Sequence, residues 1–171
     1  MDEPDLIERY REMAAGGQQF FGLSVLQHKK ILGKLMKRHD AHSVLDYGLG
    51  LGDAYASPHY LHRDWGMKRK QVTLYDPAFL RFANKPESLF DAVLCSDVLE
   101  HVPEERVEDT LRELVAYSTK FVWASVCCRP ARKTFPGTNI NLHVTVKPLE
   151  WWMERVQLAK GAREFYLIET P

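Results

Sequence analysis

Three glycines at alternating positions follow a short apolar stretch in the first third of the chain. The segment SVLDYGLGLGDAY, residues 43–55, contains Gly48, Gly50 and Gly52 directly after its apolar residues. Glycines spaced in this way allow a ligand to approach the backbone closely, because they have no Cβ atom. In an open parallel sheet such a turn lies beyond the carboxyl end of its strand, where these folds bind ligands. The spacing therefore predicts a ligand site.

The charges around the turn distinguish two classes of ligand. A dinucleotide carries an anionic pyrophosphate, and its G-x-G-x-x-G fingerprint requires a glycine where this chain has Asp53. Asp46 precedes the turn, and Asp97 and Glu100 follow a later apolar segment. Carboxylates oppose an anion and favour a cation. S-adenosylmethionine has a sulfonium and an ammonium against one carboxylate, so the acidic surroundings favour this methyl donor.

Another carboxylate ends the next apolar segment, VTLYD, residues 72–76. Asp76 is placed to accept hydrogen bonds from the hydroxyls of a ribose, and Pro77 is placed to pack against an adenine. Both ligand classes contain adenosine, so these two residues support an adenosine site without choosing between the classes.

Hydrophobic periodicity predicts the elements that position these residues. Helical spacing is present over 4–15 and 24–38, after Pro103, and from Pro148 to Gly161. The β-prone segments lie at 43–47, 72–76, 91–96, 121–126 and 163–169. This alternation predicts an α/β fold with a Rossmann-like, mostly parallel sheet and helices on both faces.

Two local features refine this prediction. Ser24 and Gln27 fit a capping box for the second helix. Pro58 and Gly66 interrupt the segment after the glycine turn, so we expect a short or broken helix there and a trimmed version of the fold. We interpret the chain as one domain, with an N-terminal helical cap over 1–40 and an α/β core over 41–171.

Several segments in order resemble class I S-adenosylmethionine-dependent methyltransferases, over about residues 43–160. VLDYGLGLG resembles their first motif, VTLYDPA their acidic second motif, and FDAVLCSDVLEHVPEE the fourth strand and following helix of small-molecule members. NLHVTVKPLEWWMERV resembles their later loop and helix on the substrate side. The resemblance implies cofactor contacts from Asp46, Tyr47, Gly48, Gly50, Asp76, Pro77, Ser96, Asp97 and Val98. The chain departs from the pattern at Leu51, in the interrupted helix, and in lacking a terminal hairpin.

Methyl transfer requires alignment of donor and acceptor more than it requires acid–base groups. The transfer is an in-line displacement from a sulfonium, so a general base is needed only if the acceptor must lose a proton. His101 and His143 are the candidate catalytic residues. His101 otherwise fits a capping or packing role at a helix start, and His143 otherwise fits a role in holding its loop.

The candidate contacts to the acceptor lie after the predicted strand at 121–126 and in the predicted helix from Pro148 to Gly161. Arg129 and Arg132 would recognise a carboxylate or a phosphate, or else they lie in a solvated loop. Trp152 would cap an acceptor pocket, or else it anchors its helix in the core.

Two further segments carry open alternatives. The stretch Gln18, Gln19, Phe20 and Phe21 either lines a lid over the cofactor or packs on the flank of the sheet. His59 and His62 lack a third ligand at metal-site spacing, so we predict no metal site from them.

Bulk properties limit the partners and the compartment. The 171 residues have 23 lysines and arginines against 23 aspartates and glutamates, which disfavours nucleic acid and favours a small-molecule acceptor. No apolar run approaches the roughly 18–20 residues of a membrane span, and the acidic first residues differ from a signal peptide. Three cysteines, two of them adjacent, do not form a disulfide framework, so we expect a cytoplasmic setting. The last strand either pairs across a homodimer or is capped by the chain end.

The sequence thus favours a methyltransferase that uses S-adenosylmethionine. Two alternatives stay open at this point. One is a nicotinamide-dinucleotide oxidoreductase on the same topology, and the other is a module that binds the cofactor without transferring its methyl group.

Overall fold

The computed structural model describes residues 3–18 and 20–170. The strands are β1 (Val44–Tyr47), β2 (Val72–Tyr75), β3 (Phe90–Ser96), β4 (Ser118–Val126) and β5 (Glu164–Glu169). The α-helices are α1 (Glu3–Ala15), α2 (Lys29–Arg38), α3 (Leu61–Asp64), α4 (Val107–Tyr117) and α5 (Leu149–Ala159). None of the helices in the described residues is long and apolar enough to cross a membrane.

The strands form a single five-stranded sheet in the order β2-β1-β3-β4-β5. Every pairing is parallel; Leu45 of β1, for example, lies opposite Thr73 of β2 and Val93 of β3. The chain leaves β1 towards β2 and then continues on the other side of β1 with β3. This reversal creates a crevice at the carboxyl ends of the two strands, the usual ligand position in such sheets. The predicted Rossmann-like α/β fold is confirmed at this level.

Apolar side chains cover both faces of the sheet, which explains why its central strands are mostly apolar. On one face, Leu94 and Trp123 pack with the buried stripe of α2, which includes Leu32. On the other face, Val93 packs with α4 and α5, where Leu111 is fully buried.

The structure differs from the predicted capping box. Residues Ser24–His28 form a 3₁₀ helix, α2 begins only at Lys29, and neither N-terminus has a side-chain cap. The capping-box prediction is therefore wrong. The hydroxyl of Ser24 instead lies 3.0 Å from that of Ser96 at the end of β3, and this contact ties the N-terminal segment to the sheet.

The interruption after the glycine turn is confirmed. A 3₁₀ helix of three residues, Asp53–Tyr55, follows Gly52, and α3 has four residues. Helix α4 begins at Val107 rather than directly after Pro103, because Pro103 is extended and a 3₁₀ turn over Glu104–Arg106 comes first.

Helix α1 lies across the ligand side of the molecule. Leu6 and Met13 pack with Phe135 and Leu142 of the segment between β4 and α5. The hydroxyl of Tyr10 donates to the carbonyl oxygen of Leu142 at 3.0 Å. These contacts attach the helix to a loop more than a hundred residues further along the chain.

We expect Tyr10→Phe to loosen this attachment. The variant keeps the ring but removes the hydroxyl, and a lost buried hydrogen bond costs about 1 kcal/mol. Local opening of α1 should become several-fold more frequent, which hydrogen exchange of the amides of residues 5–15 would measure. Tyr117→Phe on α4 is the matched control. Equal exchange in both variants would contradict the role of the Tyr10 hydroxyl.

Candidate functional site

A cavity of about 440 Å³ lies at the carboxyl ends of the first three strands. Its floor consists of Tyr47–Gly50 after β1, Asp76–Phe79 after β2 and Ser96–Val98 at the end of β3. Residues of α1 and residues 20–24 cover it with mostly apolar side chains. The volume is within the range of small-molecule sites, which is about 300–1,000 Å³.

Another segment of the chain approaches the glycine turn closely at Gly50. Gly50 has φ +63°, and a Cβ atom there would lie 2.3 Å from the carbonyl oxygen of Phe20. Leu51 N donates to that same oxygen at 2.8 Å, and Asp53 N donates to the oxygen of Phe21 at 3.1 Å. The turn therefore holds the segment that covers the cavity, as well as forming its floor.

Gly50→Ala should destabilise the chain more than Gly66→Ala does. Both glycines have positive φ, but a Cβ atom at Gly66 has no atom within 4 Å. The left-handed conformation alone costs about 1–2 kcal/mol in Gly66→Ala. In Gly50→Ala the clash with Phe20 should add about 1–3 kcal/mol. Urea unfolding of both variants would measure the difference; equal losses would mean that the two segments do not pack as described.

Asp76 is a buried carboxylate that connects the glycine turn to the end of β2. Its Oδ2 accepts a hydrogen bond from Gly50 N at 2.7 Å, and its Oδ1 accepts one from Ala78 N at 2.9 Å. Burial raises the pKa of this carboxyl above its usual value. Asp76 lines the floor of the cavity, and its contact with a ribose stays a prediction.

Asp97 is held on the opposite side of the cavity. Its Oδ1 accepts hydrogen bonds from the hydroxyls of Ser125 at 2.8 Å and Thr170 at 3.1 Å. Its backbone is left-handed, with φ +53°, a conformation that aspartate and asparagine tolerate better than most residues. The ends of β4 and β5 thus fix a carboxylate against the cavity.

The structure corrects the cofactor contact expected of Asp46. This residue does not line the cavity; it lies beneath the glycine turn, where its Oδ2 accepts a hydrogen bond from the hydroxyl of Tyr55 at 2.7 Å. Burial raises the pKa of Asp46 to about 7, partly offset by that hydrogen bond. The other residues predicted to contact the cofactor all line the cavity: Tyr47, Gly48, Gly50, Asp76, Pro77, Ser96, Asp97 and Val98.

The buried carboxyl of Asp46 gives the stability a specific pH dependence. A pKa near 7 in the folded chain, against an ordinary 3.8, means that the folded state holds the proton more tightly than the unfolded state. Its contribution is therefore present below about pH 4 and is lost as the pH rises through 7. In Asp46→Asn the free energy of unfolding should exceed that of the wild type by up to about 4 kcal/mol at pH 8, with little difference at pH 4. Urea titrations across this range would test it; parallel pH profiles would contradict it.

His101 and His143, the predicted catalytic residues, are brought together. Their ring centroids are 4.9 Å apart, and His101 lines the cavity. Burial, followed by the proximity of His143, lowers the pKa of His101 to about 4, so the ring is neutral at neutral pH. His143 comes from the loop before α5, and its Nδ1 lies 2.6 Å from the carbonyl oxygen of Arg129.

Glu100 and Tyr10 are site residues that the sequence analysis did not assign. Glu100 is fully buried beside His101, and burial raises its pKa to about 8. The hydroxyl of Tyr10 lies 2.6 Å from Nδ1 of His101. Sequence signals placed Glu100 only among the acidic charges, and nothing in the spacing of Tyr10 indicated a contact with residue 101.

The predicted acceptor contacts do not reach the cavity. Trp152 is fully buried and belongs to the core beside β4, so its assignment to the acceptor is corrected to the alternative role of core anchor. Arg129 and Arg132 are exposed in the loop after β4 and do not line the cavity.

The remaining predicted residues differ in whether they line the cavity. Phe20 and Phe21 line the cavity, as the lid interpretation expects, and Gln18 does not. Gln19 lies outside the described residues. His59 is exposed and His62 is buried, and they are not among the clustered metal-ligand side chains of the described chain.

Comparison with known proteins gave no match. No family model matches the chain, and neither a curated protein nor a solved structure does. A functional assignment therefore depends on the residues of this chain and their geometry.

Proposed function

We propose that the chain is an S-adenosylmethionine-dependent methyltransferase that acts on a small-molecule acceptor. The observation that carries the proposal is the cavity at the reversal of strand order, with a glycine turn and two carboxylates, Asp76 and Asp97, on its walls. A cofactor with net positive charge complements these walls, whereas an anion does not.

The segment after the turn also favours this donor over a dinucleotide. Dinucleotide folds place the pyrophosphate at the N-terminus of a long helix. Here Gly52 is followed by a 3₁₀ helix of only three residues, Asp53–Tyr55, which supplies no comparable helix dipole. Two backbone amides of the turn, at Leu51 and Asp53, moreover donate hydrogen bonds to the carbonyl oxygens of Phe20 and Phe21.

The proposed orientation of the donor follows from the two carboxylates. Asp76, positioned by two backbone amides, accepts hydrogen bonds from the ribose hydroxyls, and Pro77 packs beside the adenine. The methionine part then extends past Gly48 towards Asp97. This arrangement directs the methyl group towards the side of the cavity that His101 lines.

The transfer step requires positioning above all. The acceptor atom attacks the methyl carbon in line, the carbon–sulfur bond breaks, and its electron pair stays on sulfur as S-adenosylhomocysteine forms. A base with a pKa of about 4 is poorly matched to proton removal at neutral pH. In this proposal His101 therefore lines the acceptor side of the cavity and does not remove a proton from the acceptor.

Asp97→Asn tests the electrostatic basis of the proposal. The asparagine oxygen can still accept from Ser125 and Thr170, so the variant removes charge and little else. We expect the Kd for S-adenosylmethionine to rise about tenfold, or about 1.4 kcal/mol, and the Kd for the uncharged-sulfur product to rise less. Isothermal titration calorimetry at low salt would measure both values.

Asp64→Asn is the matched control, because Asp64 is an exposed partner of Lys29 on the surface. It should leave both dissociation constants unchanged. Tighter binding of NAD⁺ than of S-adenosylmethionine by the wild type, or unchanged affinity in Asp97→Asn, would contradict the proposal. Donor binding without methyl transfer to any acceptor would instead favour a binding module.

A further inference from the structure

Three side chains beside the cavity form a cluster of metal-ligand type. Glu100, His101 and His143 each offer one ligand atom, and these atoms lie within 4.8 Å of one another. Glu100 and His101 belong to the 3₁₀ turn Leu99–His101 after β3, whereas His143 comes from the loop before α5. The fold therefore assembles the cluster from two distant segments.

Both imidazoles are held in the way that metal-binding histidines usually are. Nδ1 of His101 lies 2.9 Å from the carbonyl oxygen of Leu142, and Nδ1 of His143 lies 2.6 Å from that of Arg129. A carbonyl oxygen only accepts, so Nδ1 of His143 carries the hydrogen. The Tyr10 hydroxyl also lies 2.6 Å from Nδ1 of His101, but it donates its one hydrogen to the carbonyl oxygen of Leu142, so this Nδ1 carries a hydrogen as well. The lone pair of each ring is then on Nε2, where it is available for coordination.

Glu100 supplies an independent indication of a bound cation. One carboxylate oxygen accepts a hydrogen bond from Cys127 N at 2.9 Å. The other oxygen has no hydrogen-bond partner among the described residues, and the whole residue is 0% exposed, so water does not reach it from the surface. Burying such a group without a partner costs free energy, and a coordinated cation would offset that cost.

We propose that Glu100, His101 and His143 form a binding site for one divalent transition-metal ion. Two imidazole nitrogens with one carboxylate suit zinc, manganese, iron or cobalt, whereas magnesium and calcium prefer an all-oxygen set. Ligand atoms about 2.1 Å from a tetrahedral ion lie about 3.4 Å apart, so the three side chains close inwards on binding. Three protein ligands leave at least one coordination position open.

His101 lines the cavity, so the ion would lie at its wall and could coordinate a hydroxyl oxygen of an acceptor. This consequence rests on the proposed methyltransferase function. The metal site itself does not, because its residues and their hydrogen bonds are independent of any methyl donor.

Metal binding can be measured directly on the full chain. After treatment with a chelator and gel filtration, the protein is titrated with ZnCl₂ by calorimetry and with CoCl₂ by visible absorption. We expect one Zn²⁺ per chain and at least a hundredfold weaker binding of Mg²⁺. His143→Ala and Glu100→Gln should each raise the Kd for Zn²⁺ at least tenfold.

The variants are chosen so that folding and ligation can be separated. Glu100→Gln keeps an oxygen that can accept from Cys127 N, and His143 is only partly buried. His42→Ala is the matched control, because His42 is exposed and precedes β1, at the amino end of the strand rather than the carboxyl end where the cluster lies. It should leave Zn²⁺ binding unchanged. Thermal unfolding would verify that all three variants fold.

Three results would overturn the proposal: no Zn²⁺ binding, equal binding by the wild type and both ligand variants, or a thiolate-to-cobalt charge-transfer band. The last would place the ion on Cys127 or Cys128. The outcomes also separate this inference from the proposed function. Zn²⁺ binding without S-adenosylmethionine binding would refute only the proposed function, and the reverse would refute only the metal site.

Discussion

A single buried hydrogen bond organises the ligand side of this fold. Gly50 N donates to Asp76 Oδ2 at 2.7 Å, and the bond connects the turn after β1 to the loop after β2. Without it, a buried carboxylate and a buried amide would both lose a partner, at a cost larger than that of an exposed pair. The N-terminal segment depends on the same turn, because Leu51 N and Asp53 N of the turn donate hydrogen bonds to the carbonyl oxygens of Phe20 and Phe21.

This dependence changes the interpretation of the glycine pattern. Alternating glycines suggested that a ligand must approach the backbone, but at Gly50 the chain's own Phe20 occupies the position a Cβ atom would need, and at Gly48 it is the side chain of Val98. At these two positions glycine therefore allows the chain to pack closely against the turn. A ligand in the cavity would be partly shielded from water by this cover, which strengthens the electrostatic contribution of the carboxylates.

The sequence predicts the parts of the fold that depend on local pattern. The continuous apolar runs of β1, β3 and β4, which are largely buried, indicate parallel strands covered on both faces. The interruption after Gly52 is predicted separately, from Pro58 and Gly66. The first residues of β4 were missed, because Ser118 and Lys120 carry no apolar signal. The pairing of Asp46 with Tyr55 and of Tyr10 with residue 101 depends on tertiary packing, which residue spacing does not encode. Trp152 was ambiguous for the same reason, since a tryptophan in a helix serves a core or a pocket equally well.

The end of β3 shows how one short segment can serve two sides of a site. Asp97 is fixed by hydroxyls at the ends of β4 and β5, and three residues later Glu100 is fixed by a backbone amide of Cys127. His101 is fixed in turn by the segment that packs on α1. Asp97 and Glu100 are thus both held from the end of β4, whereas His101 is held by the loop before α5, so the ring of His101 is positioned by a segment that does not hold Asp97. A change in the loop before α5 can therefore alter the acceptor side while the glycine turn and Asp76 keep the donor side intact.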